Sequence, residues 1–133
     1  MSFVRPSVFE SGLPRKARGG DGWLAFPKKT NQATDSNQVI SVAAILGGLY
    51  GRSGTNTSRT DTTATAVAIL AAMPDMDIGG VYMFMVYNQT ANTLVIAGGT
   101  DVTASGNLSV LTLTTKWFML TKTSATTMTL EGF

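Results

Sequence analysis

The heptapeptide Val81-Tyr82-Met83-Phe84-Met85-Val86-Tyr87 contains no charged residue and consists largely of side chains that favour strands. In an extended chain Tyr82, Phe84 and Val86 share one face, and the residues that alternate with them share the other. Both faces are apolar, so in a chain of only 133 residues this strand needs cover on both sides. We therefore expect Tyr82, Phe84 and Val86 to lie in the core or at a subunit interface.

Four further strand-like stretches follow this one at short spacing, at residues 93–97, 108–114, 116–123 and 126–131. The links between them are short and polar, as in antiparallel hairpins. Charged residues make up only 14% of the chain, which argues against long charged helices. We predict a β-rich α+β fold, an antiparallel β-sandwich or barrel with one or two short helices and an extended N-terminal arm. No internal repeat indicates a solenoid.

Two short helices are predicted upstream of these strands. The first lies within residues 36–50, with Ser41 or Ser36 as its cap and Gly47-Gly48 at its end. The second begins at Thr60 or Asp61, because apolar residues recur after it at helical spacing, at Ala66, Ile69, Leu70 and Met73. Residues 51–60, between the two helices, are turn formers and predict an exposed loop.

Residues 1–37 predict an extended arm, and residues 38–133 the β-rich oligomerisation domain. Residues 1–29 carry six basic and two acidic residues, a net charge of +4, whereas residues 30–133 carry four basic and six acidic residues, a net charge of −2. Apolar residues interleave with the charges, which favours docking on a partner over a purely solvated tail. The expected contact residues are Phe3, Phe9, Arg15, Lys16, Arg18, Trp23, Phe26, Lys28 and Lys29.

The chain has no Cys and no His, which removes thiolate and imidazole catalysis, disulfides and the common zinc sites. The Asp75-Met76-Asp77 stretch lacks the remaining ligands of a calcium loop. No apolar run is long enough for a membrane-spanning helix. We expect a protein that is not an enzyme, needs no cofactor or metal and does not enter a membrane.

One series of short segments resembles a module of virion structural proteins of tailed bacteriophages. The series is Ala44-Ile45-Leu46-Gly47-Gly48-Leu49, Arg59-Thr60-Asp61-Thr62, Val86-Tyr87-Asn88-Gln89-Thr90 and Ala97-Gly98-Gly99-Thr100-Asp101. It is similar to small capsid decoration (cement) proteins and to modules at the ends of head or tail fibres. The resemblance implies a homo-oligomer, expected to be a trimer, made in the host cytoplasm and bound to the major capsid protein on the virion exterior.

The sequence thus predicts a decoration protein that binds an assembled phage head and stabilises capsomer joints. The first alternative is a head- or tail-fibre module that binds a host surface glycan through Tyr50, Trp117 and the loop at residues 51–60. The second alternative is a nucleic-acid-binding protein, because basic and aromatic residues interleave in the arm.

Overall fold

The computed structural model describes residues 26–133, which form ten strands and two short helices. In chain order these are β1 (Lys28–Gln32), β2 (Val39–Ile40), α1 (Val42–Gly47), β3 (Gly48–Arg52), β4 (Arg59–Thr63), α2 (Ala66–Ala71), β5 (Val81–Asn88), β6 (Leu94–Ala97), β7 (Val102–Gly106), β8 (Ser109–Val110), β9 (Thr115–Lys122) and β10 (Met128–Gly132). The predicted β-rich α+β class with two short helices is confirmed.

The strands form two open sheets with mixed pairing. One sheet has six strands in the order β1-β3-β5-β9-β10-β7, and the other has four in the order β2-β4-β6-β8. The first six strands alternate between the two sheets. Each sheet therefore contains three of them, which are neighbours and pair in parallel. The predicted antiparallel pairing holds for β5, β9 and β10. It is wrong for the parallel pairs, and neither sheet closes into the predicted barrel.

The core is built from buried side chains of both sheets and of both helices. The rings of Phe84 and Phe118, on neighbouring strands, stack with their centroids 5.8 Å apart. The other fully buried large apolar side chains come from both sheets and both helices, and include Ile40, Ile45, Ile69, Ile96, Leu120 and Leu130. Alternation along each strand of the six-stranded sheet therefore sends one set of side chains inward and leaves a second, outer face.

The first helix agrees with its predicted ends. The Ser41 hydroxyl accepts a hydrogen bond from the Ala44 amide (3.1 Å), and the chain leaves α1 at Gly48, whose φ of 93° favours glycine. The second helix starts later than predicted. Thr65 caps it, accepting from the Ala68 amide at 3.2 Å, while Asp61 lies in β4 as a buried strand residue.

The described part of the predicted arm contains a strand of the body. Residues Lys28–Gln32 pair in parallel with β3, and Arg52 donates hydrogen bonds to the carbonyl groups of Thr34 (2.7 Å) and Ser36. Residues 28–37, which were predicted to belong to the arm, are held to the body by backbone pairing and by a buried guanidinium. The part of the predicted arm that precedes this strand ends at Pro27.

Candidate docking surface

The outer face of the six-stranded sheet carries a band of apolar side chains that no other described element covers. We call this band the outer face; its members are Leu49, Val81, Met83, Met85, Tyr87, Trp117 and Met119. Strand register places them in rows, with Met85 between Leu49 and Trp117. Val81 (49%), Met83 (44%) and Trp117 (46%) are each about half exposed. An apolar patch of this kind on a small domain marks a contact site.

An open groove of about 330 Å³ lies at the side of the outer face near α1. Its lining is mostly apolar and includes Phe26, Leu46, Tyr82, Met83 and Trp117. Phe26 lines the groove yet leaves 92% of its side chain exposed. The groove has a shape suited to an apolar partner group, but few polar side chains converge on it to fix a small ligand.

Two opposite charges flank the apolar band. Lys29 lies on β1 at one side, where its Nζ donates to Gln89 Oε1 (2.5 Å) and lies 5.5 Å from the centre of the Tyr87 ring. Glu131 lies on β10 at the other side, opposite Met119 in the strand register. The ion pairs of residues 26–133 are Arg52–Asp61 and Arg59–Asp35. Neither Lys29 nor Glu131 therefore has an opposite charge beside it within that range.

The predicted core or interface residues of β5 lie on the inner side. Phe84 and Val86 are fully buried within the chain, so they belong to its own core. Tyr82 is half-buried, donates a hydrogen bond to the Leu46 carbonyl (2.7 Å) and has its pKa raised by burial. The surface open to a partner is the opposite face of the same strand.

The predicted arm residues divide between described and undescribed parts of the chain. Phe26, Lys28 and Lys29 are exposed at the β1 edge of the six-stranded sheet. The remaining anchors and basic groups lie outside the described residues, namely Phe3, Phe9, Arg15, Lys16, Arg18 and Trp23. Of these three residues, Phe26 lines the groove, and Lys28 and Lys29 follow it at the start of β1 on opposite faces of the strand.

The predicted glycan residue Tyr50 is buried and serves the interior. Its hydroxyl donates to Asp61 Oδ2 (2.7 Å), and the same oxygen accepts from Arg52 Nε (2.7 Å). Burial, then the neighbouring Asp61 carboxylate, raise the pKa of Tyr50 far above its usual value. The loop predicted at residues 51–60 is correspondingly shorter, since both of its ends belong to strands.

The part of that loop that remains is tied to the chain after β1. Asp35 accepts hydrogen bonds from the Asn56 amide (3.0 Å) and from Arg59. The Asn56 amide, together with Arg59, lowers the pKa of the Asp35 carboxyl. These contacts tie the loop to the segment that follows β1.

Sequence reasoning missed the contribution of β9 to the outer face. Trp117 was considered only as a glycan contact, and Met119 was not singled out. The signal was present in the alternation of Trp117 and Met119 with the core residues Phe118 and Leu120. Applied to both central strands of the sheet, the period of two would have identified the apolar band.

Within residues 26–133, no cluster of three or more acidic, Cys or His side chains could hold a metal ion. None of the helices in that range has the length and apolar character needed to cross a bilayer. Comparison with protein-family models, with curated proteins and with solved structures found no significant match to the chain.

Proposed function

We propose that this chain is a capsid decoration protein that binds the outside of an assembled phage head as an oligomer, expected to be a trimer, and stabilises capsomer joints. The observation that carries the proposal is the position of the basic segment relative to the body. Six of the ten basic residues fall within residues 1–29, and the described end of that segment is exposed beside an uncovered apolar face. Cationic and aromatic groups next to an apolar surface are typical of a protein docking site.

In the proposed mechanism, the arm contacts the capsid and the body forms the oligomer. The arm supplies charged contacts from Arg15, Lys16 and Arg18, and apolar anchors such as Phe3 and Phe9, to the major capsid protein. The body is tied together internally and presents several arms at once when it oligomerises. Linking weak docking events in one oligomer raises their effective concentration, so the assembly holds a head more tightly than one arm does.

The arrangement of the two sheets supports the same proposal. We infer that they pack as an open β-sandwich, since side chains of both sheets meet in the buried contact between Tyr50 on β3 and Asp61 on β4. A rigid two-layer body of this kind would transmit load between the capsomers that its arms contact.

The test is co-sedimentation of the purified full chain with empty heads of the phage that encodes it. We expect the wild-type protein to pellet with the heads and the Arg15→Ala/Lys16→Ala variant to bind more weakly. The matched control is Lys116→Ala/Lys122→Ala, which removes two positive charges from the body and should bind as wild type. Equal binding by both double variants, or no binding by the wild type, would refute the proposal.

A glycan-binding fibre module remains a second candidate because Trp117 is half-exposed on the outer face, where an indole can stack on a sugar ring. The burial of Tyr50 removes the other aromatic residue of that hypothesis. Binding of host-surface glycans that is lost in Trp117→Ala, without binding to heads, would favour this candidate. The nucleic-acid alternative predicts filter binding of DNA at low salt that falls steeply as salt rises.

A further inference from the structure

We infer that the outer face is the contact surface for a second copy of this chain. This inference deepens the proposed function, since it names the surface through which the oligomer forms. It begins from the composition of the face, whose centre carries Met83, Met85, Trp117 and Met119 and no charged residue. Met and aromatic residues at the centre, with charge confined to the rim, are characteristic of subunit interfaces.

Much of the exposed apolar surface of the described residues lies on the outer face or at its margins. Five of the ten exposed large apolar side chains of the described residues lie on the outer face or at its margins: Phe26, Val81, Met83, Trp117 and Phe133. Phe133 follows β10 and its amide donates to the Trp117 carbonyl (3.2 Å), so it extends the row that contains Met85. Phe26 therefore borders the band at the β1 side, and Phe133 borders it at the β10 side.

Charge complementarity points to a copy of the same chain as the partner. The only charged residues among the outward-facing strand positions are Lys29 on β1 and Glu131 on β10. They stand about 19 Å apart across four strand spacings, one on each flank of the band. A surface that is positive on one flank, apolar in the centre and negative on the other is complementary to a rotated copy of itself.

Symmetry then fixes which flank meets which. When two or three copies surround an axis that runs along the strands, the β1 flank of one copy faces the β10 flank of the next. Lys29 and Glu131 lie in adjacent rows, about 7 Å apart along the strand direction. A lysine side chain can span that offset by exchanging its bond to the neutral Gln89 amide for a carboxylate. The apolar residues of the central strands meet nearest the axis.

The test measures self-association of the purified full chain, without heads, by sedimentation equilibrium. We expect the wild type to form a dimer or trimer, and Met83→Lys to raise the dissociation constant at least about tenfold. The matched control is Val67→Lys, a substitution of an apolar residue on α2 that is at least as exposed as Met83, and it should associate as wild type. Circular dichroism and thermal unfolding establish that both variants are folded.

A charge exchange tests the arrangement of the flanks on variants that leave the apolar band intact. Lys29→Glu and Glu131→Lys should each weaken association, because each places like charges together at every contact. The double variant Lys29→Glu/Glu131→Lys should recover it, since the pair is restored in reverse. Failure of the double variant to recover would overturn the inferred arrangement.

Two other results would overturn the inference itself. One is association by Met83→Lys that equals the wild type. The other is a wild-type chain that stays monomeric at all concentrations. If Trp23, the sole indole of Trp117→Phe, then shows the blue-shifted emission of a buried side chain, the chain's own N-terminal segment is the occupant of the face. Because heads are absent, failure here leaves head binding to be judged by its own experiment.

Discussion

Among single residues, the buried pair Arg52 and Asp61 accounts for much of the local structure. Both side chains are fully buried and joined at 2.7 Å. Every polar group of the pair has a partner, since Arg52 also donates to backbone carbonyls and Asp61 also accepts from the Gln38 amide (3.0 Å) and from Tyr50. The pair joins β3 to β4, which belong to different sheets.

Removing one charge from this pair should be costly. Asp61→Asn leaves the Arg52 guanidinium buried without its counter-charge, so we expect it to lower the free energy of unfolding by about 3–5 kcal/mol. Urea denaturation measures the change. Asp75→Asn, at an exposed position after α2, is the control and should change stability by less than about 0.5 kcal/mol. Similar small losses in both variants would contradict the role assigned to Asp61.

Tyr50 adds a pH dependence whose sign follows from its raised pKa. The folded protein favours the protonated phenol, so this stabilisation is complete below the unfolded pKa of about 10 and is lost as the pH rises above it. We expect the free energy of unfolding to fall between about pH 9 and pH 11, and to fall less in Tyr50→Phe. The smaller decline left in Tyr50→Phe includes the contribution of Tyr82. Equal declines in the two proteins would contradict this prediction.

At the scale of elements, the helices and strands that depend mainly on local sequence were predicted from capping residues and from the alternation of apolar side chains. The first helix, with its Ser41 cap and glycine end, and the strands around Val81–Asn88 and Thr115–Lys122 are where the sequence indicates them. The parallel strands β3 and β4 escaped prediction because their ends are built from Gly, Ser, Thr and Arg, which read locally as a loop. Their strand character depends on backbone pairing with other strands and on the ion pair between Arg52 and Asp61, neither of which leaves a periodic pattern.

The attachment of β1 to the body can be tested at a glycine. A Cβ added at Gly47 would lie 2.7 Å from the Lys28 carbonyl oxygen, so Gly47→Ala must displace β1. We expect faster amide hydrogen exchange at residues 28–32 in this variant. Gly79→Ala is the control. A Cβ added at Gly79 would meet no atom within 4 Å, and the φ of 90° at this position costs an alanine about 1–2 kcal/mol of stability without displacing β1. Equal exchange at residues 28–32 in both variants would contradict the assignment of β1 to the sheet.

For the whole molecule, the sequence correctly indicated that Val81–Tyr87 presents apolar residues on both faces. The structure resolves the two faces. Phe84 and Val86 fill the chain's own core, while Met83 and Met85 join Trp117 on a surface that the described residues leave uncovered. Which strands neighbour β5 could not be read from the sequence, because register across a sheet is set by tertiary packing. The extent of the outer face, and the charges at its flanks, follow only from that register.

We propose that the molecule is an incomplete unit whose apolar face contacts copies of itself and whose basic arm contacts a head. Loss of association in Met83→Lys and recovery in the Lys29/Glu131 charge exchange are the expected outcomes for the face. Weaker head binding by Arg15→Ala/Lys16→Ala is the expected outcome for the arm. Each result can be obtained without the other, since self-association is measured without heads and the arm variant changes neither the apolar band nor Lys29 and Glu131.

The most direct test is sedimentation velocity of the purified protein alone and after mixing with empty heads of the encoding phage. We expect an oligomer in the first run and, in the second, its disappearance from the slow boundary as it moves with the heads. A single monomeric boundary, unchanged by heads, would contradict it.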